Sequence, residues 1–362
     1  MRSVTSPTKC SEIIQQTMVL AAVFILMSSF SLSFVQAQSC TAFGNPPRGN
    51  VFAVQPFCGT GGSLLGGFND SEGTPRFACL YPPSAPVSGV RYPMIVFIHA
   101  SLTNADSVKL TPLFDDRNTA NISGGNTTGF ILLAPQGRNT QHFYPFPDDQ
   151  GTGWDNWYRQ LSPNGDVTVN GTTFMENVDA AAIDHFIQQQ VATGLVDTNR
   201  IYLVGWSNGS SMSFLYGANR SNIAAAAVYS APDPFGALED PCQQTPVSGA
   251  PVDRRHVRLF AAGLPTFQVH NACDIAGICP NSRLIGPQLA AAGGSIEQDE
   301  IIDGGEVVTS CDAICGTNPN GDPNNLAANT VGASNHATWP VRQTPQMLQF
   351  LQQHPLSSRP KP

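Results

Sequence analysis

Charged residues are scarce in this sequence. Asp, Glu, Lys and Arg make up 12% of its 362 residues, about half of the roughly 25% that is usual in globular proteins. Disordered chains, coiled coils and acidic tails all depend on abundant charge. The low charge, together with a hydrophobic content of 41%, therefore excludes those classes and predicts a chain that buries a large core.

The sequence also lacks clusters of basic residues. Its 18 Lys and Arg are outnumbered by 26 Asp and Glu, which leaves a formal net charge of −8. A surface of this sign repels a phosphate backbone. We therefore expect no nucleic-acid partner.

Long apolar runs are absent except near the N-terminus. There, basic residues precede ten unbroken apolar residues, 18–27, and the small-residue pattern Val35-Gln36-Ala37 follows. This arrangement is typical of a secretory signal peptide with its cleavage site, whereas a transmembrane anchor needs about 20 apolar residues. We predict a signal peptide at residues 1–37, secretion, no membrane association after cleavage, and one folded domain at 38–362.

Histidines do not accompany the cysteines at the spacing of a zinc site, so no metal site is predicted. Without Cys10, which lies in the predicted signal peptide, eight of the nine cysteines remain. An even number in an exported chain indicates disulfides, although the sequence leaves their pairing open. These cysteines are Cys40, Cys58, Cys79, Cys242, Cys273, Cys279, Cys311 and Cys315.

Six Asn-x-Ser/Thr sequons indicate a glycoprotein if the chain is exported. They begin at Asn69, Asn121, Asn126, Asn170, Asn208 and Asn219.

Short apolar runs alternate with segments of helical spacing along most of the chain. Buried strands are predicted at 94–98, 130–134, 201–204, 224–229, 266–270 and 296–302. Helices are predicted from about Phe174, with Thr173 and Glu176 as a capping box, at 210–216 and at 343–354. The alternation predicts an α/β fold with a mostly parallel central sheet and helices on both faces. Residues 40–80 are predicted as a lead-in and 303–335 as one long insertion loop.

The segment Gly205-Trp206-Ser207-Asn208-Gly209 lies directly between a predicted strand and a predicted helix. A Gly-x-Ser-x-Gly sequence in this place forms a tight turn that exposes the serine hydroxyl at a helix N-terminus. Ser207 is therefore the predicted nucleophile.

A serine needs a base and an orienting acid, which follow it in the order acid, histidine in folds with this turn. His336 is the predicted base, because it lies in a loop just before the closing helix. His256 comes too early, His270 ends a strand, and His354 lies on the closing helix. Asp274 is the predicted acid, because a short loop joins it to the strand 266–270. Asp233, after the strand 224–229, is the alternative.

An oxyanion hole needs backbone N–H donors aimed at the developing charge. One donor is predicted at Asn208, directly after the nucleophile. The other is predicted in the loop after the first central strand, at Ala100 or Ser101. His99 precedes the nucleophile and is expected to shape this loop rather than to act as the base.

From about Arg76 to His354 the sequence resembles the polyhydroxybutyrate depolymerase-type esterases of the α/β-hydrolase superfamily, a group that includes feruloyl and acetylxylan esterases. The segments that carry the resemblance are 93–99, 154–157, 196–209, 269–274 and 335–340. The resemblance implies a triad of Ser207, Asp274 and His336. It also implies a substrate cleft lined by Trp154 or Trp157. Trp206, beside the nucleophile, is a further predicted substrate-binding residue. The sequence departs from the family at Ala100 and Ser210, where glycine is usual.

The predicted function is that of a secreted serine carboxylesterase, with residues 38–362 as one α/β-hydrolase catalytic domain. It forms an acyl-enzyme, needs no cofactor, and acts on a small or polymeric ester of the polyester, feruloyl or acetyl-polysaccharide kind. Two alternatives stay open, a serine peptidase with the same triad and a non-catalytic binding or adhesion protein of this fold. The sequence does not determine the oligomeric state.

Overall fold

The computed structural model describes a set of segments that belong to one compact unit. They are residues 52–70, 73–140, 151–154, 167–169, 172–174, 178–218, 220–232, 263–275, 278–283, 285–287, 295–312 and 330–358. Backbone contacts divide the chain into residues 1–38 and 39–362. The predicted signal peptide lies outside the described residues. No helix in the described segments is long and apolar enough to cross a membrane.

Thirteen strands are defined in these segments. They are β1 Ser63–Asn69, β2 Pro75–Tyr81, β3 Tyr92–Ile98, β4 Ile131–Pro135, β5 Arg138–Thr140, β6 Gly151–Gly153, β7 Val167–Val169, β8 Thr172–Phe174, β9 Val196–Trp206, β10 Ala225–Tyr229, β11 Pro265–Asn271, β12 Ser295–Asp303 and β13 Glu306–Val308. Nine form one sheet in the order β1-β2-β4-β3-β9-β10-β11-β12-β13, and β5-β6 and β7-β8 are separate antiparallel pairs. The six strands from β4 to β12 in that order run parallel. The predicted mostly parallel sheet is confirmed.

Helices cover both faces of this sheet. They are α1 Leu113–Asp116, α2 Val178–Val191, α3 Asn208–Ala218, α4 Ile278–Ser282, α5 Thr330–His336 and α6 Thr344–Gln353, with 3₁₀ turns at Ala105–Leu110, Val341–Gln343 and Leu356–Ser358. Successive strand residues point to opposite faces. Val96 of β3 accordingly lies in the apolar cluster that contains Phe186 of α2. Phe97 lies in the opposite cluster with Phe350 of α6.

Three sequence-based boundaries are wrong. Helix α2 begins at Val178, and Thr173 lies in strand β8, because a β-branched Thr-Thr-Phe run favours a strand over a helix start. The lead-in 40–80 contains strands β1 and β2.

The segment 303–335 is not one loop, because it begins with the β12–β13 hairpin and ends with helix α5. The hairpin forms at Gly304-Gly305, whose φ angles of 54° and 87° suit a two-residue turn.

A buried ionic network connects the sheet to the first turn of α2. Arg76 lies 3.2 Å from Asp70 and also pairs with Asp179, and Arg138 lies 3.1 Å from the same Asp70. All four side chains are almost completely buried. Removal of one member would leave an uncompensated buried charge, which is strongly destabilising. The network therefore fixes how β1, β2 and β5 meet α2.

Disulfide bonds are confirmed at two pairs, Cys58–Cys79 and Cys279–Cys311. Cys273 is also disulfide-bonded, and its partner lies outside the described residues. The second pair joins helix α4 to the segment after β13. Both cysteines pack in the cluster that contains Ala272, two residues before Asp274, so this bond stabilises the segment that leads to the predicted acid.

The sequons differ in exposure. Asn69, Asn121 and Asn126 are exposed, whereas Asn208 is fully buried. The side chain of Asn208 is bonded to the backbone of Trp154, so it is not available for a glycan in the folded chain. Asn170 and Asn219 lie outside the described residues.

Candidate active site

Ser207 occupies the tight turn between strand β9 and helix α3. Its φ angle of 54° is in the left-handed region, which is strained for a residue with a side chain and is concentrated at functional sites. The Ser207 N–H donates to the Tyr229 carbonyl oxygen at 2.9 Å. The neighbouring strand β10 therefore holds this turn in place.

The two glycines of the turn are required by close packing. A Cβ atom on Gly209 would lie 2.0 Å from the Ile98 carbonyl oxygen, and one on Gly205 would lie 2.6 Å from the Ser210 Cα atom. Both distances are far below a van der Waals contact, and glycine alone lets backbones approach so closely. Helix α3 is thereby brought directly against the end of β3.

The predicted triad residues meet at the carboxyl edge of the sheet. His336 Nε2 lies 2.7 Å from Ser207 Oγ, and His336 Nδ1 lies 2.7 Å from Asp274 Oδ1. Ser207 follows β9 and Asp274 follows β11, and the carboxyl ends of parallel strands share one edge of a sheet. His336 was expected in a loop but is the last residue of helix α5.

The two other candidate histidines that the structure describes, His270 and His354, do not contact Ser207. His270 lies fully buried in β11, its ring nitrogens have no hydrogen-bond partner, and burial lowers its pKa. His354 directly follows α6, and its Nε2 lies 2.9 Å from a Glu297 carboxylate oxygen. His256 and Asp233 lie outside the described residues.

The three residues predicted to supply oxyanion donors lie close in sequence to the end of β3 and to the start of α3. Asn208 is the first residue of α3, and the N-terminus of a helix carries positive partial charge. Within the described segments the N–H groups of Ala100 and Ser101 have no acceptor. The structure thus brings all three predicted donors to the end of β3 and the start of α3.

His99 is a structural part of this loop. Its Nδ1 lies 2.7 Å from the Ala100 carbonyl oxygen, and its Nε2 accepts from the Gly137 N–H at 2.9 Å. A carbonyl only accepts and an N–H only donates, so the neutral Nδ1–H tautomer satisfies both partners. Burial lowers the pKa of His99 to about 4, which keeps the ring neutral. His99 therefore shapes the loop, as the sequence predicts.

Two tryptophans predicted to bind substrate are buried beside the site and hydrogen-bonded to its backbone. Trp154 has no exposed surface, and its indole N–H donates to the His99 carbonyl oxygen at 2.7 Å. Trp206 is 4% exposed, and its indole N–H donates to the His336 carbonyl oxygen at 2.9 Å. A buried indole needs an acceptor for its N–H, and both rings use carbonyls of the site itself. Trp157 lies outside the described residues.

Sequence analysis missed the residues at the end of β10. Ser230 Oγ donates to Asp274 Oδ2 at 2.6 Å, and Tyr229 donates through its hydroxyl to the Asn335 carbonyl oxygen at 2.6 Å. A polar residue directly after a parallel strand points to the ligand-binding edge. Ser230 directly follows the parallel strand β10, and this place in the sequence was the signal that could have identified it.

The mostly parallel sheet, the serine turn after β9 and the Ser-His-Asp arrangement at the sheet edge together identify the fold. The chain has an α/β-hydrolase fold.

No group of three or more His, Cys, Asp or Glu side chains that could hold a metal occurs in the described part of the chain.

Comparisons with known proteins give distant structural matches. No family model matches the chain, and no curated protein matches it. A thermostable esterase is similar at 17% identity and a TM-score of 0.43, with 82% of this chain and 63% of that chain covered. A puromycin-hydrolyzing peptidase of Mycobacterium tuberculosis has 16% identity and a TM-score of 0.45, over 81% and 39% of the two chains. A ferulic acid esterase has 15% identity and a TM-score of 0.42, over 69% and 91%. This chain thus spans less than two thirds of the first two structures.

We predict that His99 makes folding stability depend on pH. Its pKa falls from 6.5 in the unfolded chain to about 4 in the folded one, so the unfolded state takes up a proton first as the pH falls. The stability that comes from the neutral ring is complete above pH 6.5 and is lost between pH 6.5 and 4. The loss between pH 7 and 5 is about 2 kcal/mol.

Urea unfolding of the wild type and of His99→Gln at pH 7 and pH 5 measures this effect. Between pH 7 and pH 5, the unfolding free energy of His99→Gln should fall by about 2 kcal/mol less than that of the wild type. Some pH dependence remains, because the buried His270 acts in the same direction. An identical fall in both proteins would contradict the prediction.

Proposed function

We propose that this protein is a serine carboxylesterase. The observation that carries the proposal is the continuous hydrogen-bonded chain from Ser207 Oγ through His336 to Asp274, with both links at 2.7 Å. In the reaction, Ser207 Oγ attacks the ester carbonyl carbon while His336 Nε2 takes the hydroxyl proton. The same proton then passes to the leaving alcohol, and an acyl-enzyme remains. Water, activated by His336, releases the acid and restores Ser207.

Asp274 holds the imidazole in the tautomer that the reaction needs. Its Oδ1 accepts from His336 Nδ1 at 2.7 Å and from the Ile275 N–H at 2.7 Å. With the ring proton held on Nδ1, the Nε2 lone pair faces the Ser207 hydroxyl. The buried carboxylate also stabilises the imidazolium that forms in the transition state.

Negative charge on the reacting oxygen is stabilised by fixed N–H donors. One donor is Asn208 at the start of α3, and a second comes from Ala100 or Ser101 in the loop that His99 shapes. Such preorganised donors act strongly because they need no reorientation during the reaction. The chemistry described uses protein groups and water, without a cofactor.

The substrate class and the cellular context rest on the sequence. The resemblance to polyhydroxybutyrate depolymerase-type esterases supports an ester of the polyester, feruloyl or acetyl-polysaccharide kind. The signal-like segment at residues 1–37 and the disulfides support secretion. Glycans are proposed for exposed sequons such as Asn69, Asn121 and Asn126, and not for Asn208.

A substrate panel tests the proposed function. We expect turnover of short p-nitrophenyl esters, methyl ferulate, acetylated xylan or a polyester film, and none of peptide amides. In Ser207→Ala, kcat on the best ester should fall by a factor on the order of 10⁶, because the nucleophile is lost. Circular dichroism and the unfolding midpoint serve as controls for folding. Near wild-type turnover in Ser207→Ala, or preference for the amides, would contradict the proposal.

The identity of the acid is tested by two matched substitutions. Asp274→Asn should lower kcat by roughly 10⁴, because an amide strands the imidazole in the wrong tautomer. Asp233→Asn, at the alternative position, should leave kcat within a few-fold of the wild type. A larger loss in Asp233→Asn than in Asp274→Asn would move the acid to the segment after β10.

A further inference from the structure

The last residue of strand β10 and the serine after it contact all three segments that carry the triad. The strand lies between β9, which leads to Ser207, and β11, which leads to Asp274. Its Tyr229-Ser230 end is fully buried. These two residues are therefore placed to set the positions of the reacting groups without contacting substrate.

Ser230 binds the carboxylate of Asp274 on the side away from the histidine. Its Oγ donates to Asp274 Oδ2 at 2.6 Å, whereas His336 contacts Oδ1. A hydrogen bond to an ionised group is stronger and more directional than a neutral one. The bond opposes rotation of the carboxylate about its Cβ–Cγ bond and so keeps Oδ1 facing His336.

The backbone of Ser230 is held in a conformation that a serine rarely adopts. Its φ angle is 51°, in the left-handed region, and its N–H donates to the Val269 carbonyl oxygen at 2.9 Å. Glycine would adopt this φ without strain. A hydroxyl at a place where the backbone favours glycine indicates that the side chain has a role of its own.

Tyr229 holds the two other segments. Its carbonyl oxygen accepts from the Ser207 N–H at 2.9 Å and from Ser210 Oγ at 2.7 Å. Its hydroxyl donates to the carbonyl oxygen of Asn335, the residue before His336, at 2.6 Å. The hydroxyl in turn accepts a hydrogen bond from the Asn271 side chain.

The histidine and acid segments are also tied to each other. The Asn335 side-chain amide donates to the carbonyl oxygen of Cys273, the residue before Asp274, at 2.8 Å. Burial raises the pKa of the Tyr229 hydroxyl, which keeps it protonated as a donor. The end of β10 is thus the common support of the nucleophile, the acid and the base.

We propose that Ser230 is a positioning residue that orients the Asp274 carboxylate toward His336, and that Tyr229 positions the adjoining histidine and nucleophile segments. The proposal deepens the proposed function and rests on it. Ser230 acts through Asp274 and takes no proton from the substrate.

The test compares Ser230→Ala and Ser230→Gly with a matched control, Ser282→Ala. Both Ser230 variants lose the hydroxyl, but the glycine variant removes the backbone strain at φ 51°. Ser282 is also fully buried, and its hydroxyl donates to the Ala231 carbonyl oxygen at 2.5 Å rather than to Asp274. The control therefore reports the effect of losing a nearby buried hydroxyl.

We expect kcat on the best ester to fall about 10- to 100-fold in both Ser230 variants, the range that one hydrogen bond to a charged group supplies. KM should stay within about twofold, because Ser230 does not contact substrate. Ser282→Ala should keep wild-type kcat even if its unfolding midpoint falls. If Ser230→Ala fails to fold, Ser230→Gly alone carries the comparison.

A double-mutant cycle with Asp274→Asn separates positioning from a structural role. If Ser230 acts through Asp274, the substitution Ser230→Gly should lower kcat little further in the Asp274→Asn background. Wild-type kcat in Ser230→Gly, or equal losses with and without Asp274, would overturn this inference. Near wild-type turnover in Ser207→Ala would instead overturn the proposed function, and this inference with it.

Discussion

The close contact between the first turn of helix α3 and the end of strand β3 is the constraint on which the site depends. Gly209 approaches the Ile98 carbonyl oxygen so closely that even a methyl group would not fit. This contact places the Asn208 N–H beside the loop that contains Ala100 and Ser101. One packing contact therefore positions Ser207, Asn208 and the loop after β3, which are the proposed nucleophile and the proposed sources of oxyanion donors.

Buried polar groups then hold this contact in one arrangement. The Trp154 backbone N–H donates to Asn208 Oδ1 at 2.8 Å, and its indole N–H donates to the His99 carbonyl oxygen at 2.7 Å. One tryptophan thus connects the start of α3 with the end of β3. His99 continues the connection to Gly137 through its neutral ring. In a site of low dielectric, such satisfied networks are rigid, and an unpaired member would be costly.

Buried hydrogen bonds also order the side of the site that β9, β10 and α5 form. The three segments that carry Ser207, Asp274 and His336 are far apart in sequence but share partners at the end of β10. Trp206 and Tyr229 donate to the consecutive carbonyls of His336 and Asn335 at 2.9 and 2.6 Å. The short helix α5 is therefore held by two aromatic side chains of adjacent strands. The geometry of the proposed triad arises from sheet topology together with hydrogen bonds to backbone carbonyls.

The sequence predicted the parts of this arrangement that have a local signature. The apolar runs and their alternation with helices predicted the parallel sheet, and the Gly-x-Ser-x-Gly turn together with chain order pointed to Ser207, Asp274 and His336. The burial of Trp154 and Trp206 and their bonds to the His99 and His336 carbonyls were not predicted, because burial depends on tertiary packing, which a single sequence does not display. Ser230 was missed because one serine after a strand has no distinctive spacing.

Covalent labelling of Ser207 is the most direct test of the central claim, that this serine is an activated nucleophile. The protein would be treated with diisopropyl fluorophosphate, and the residual ester hydrolysis compared with the adduct mass and its peptide location. We expect one phosphoryl adduct per chain, on the peptide that contains Ser207, in proportion to the activity lost, and no adduct on the denatured chain. Full activity after treatment, or loss of activity with the adduct on another residue, would contradict the claim.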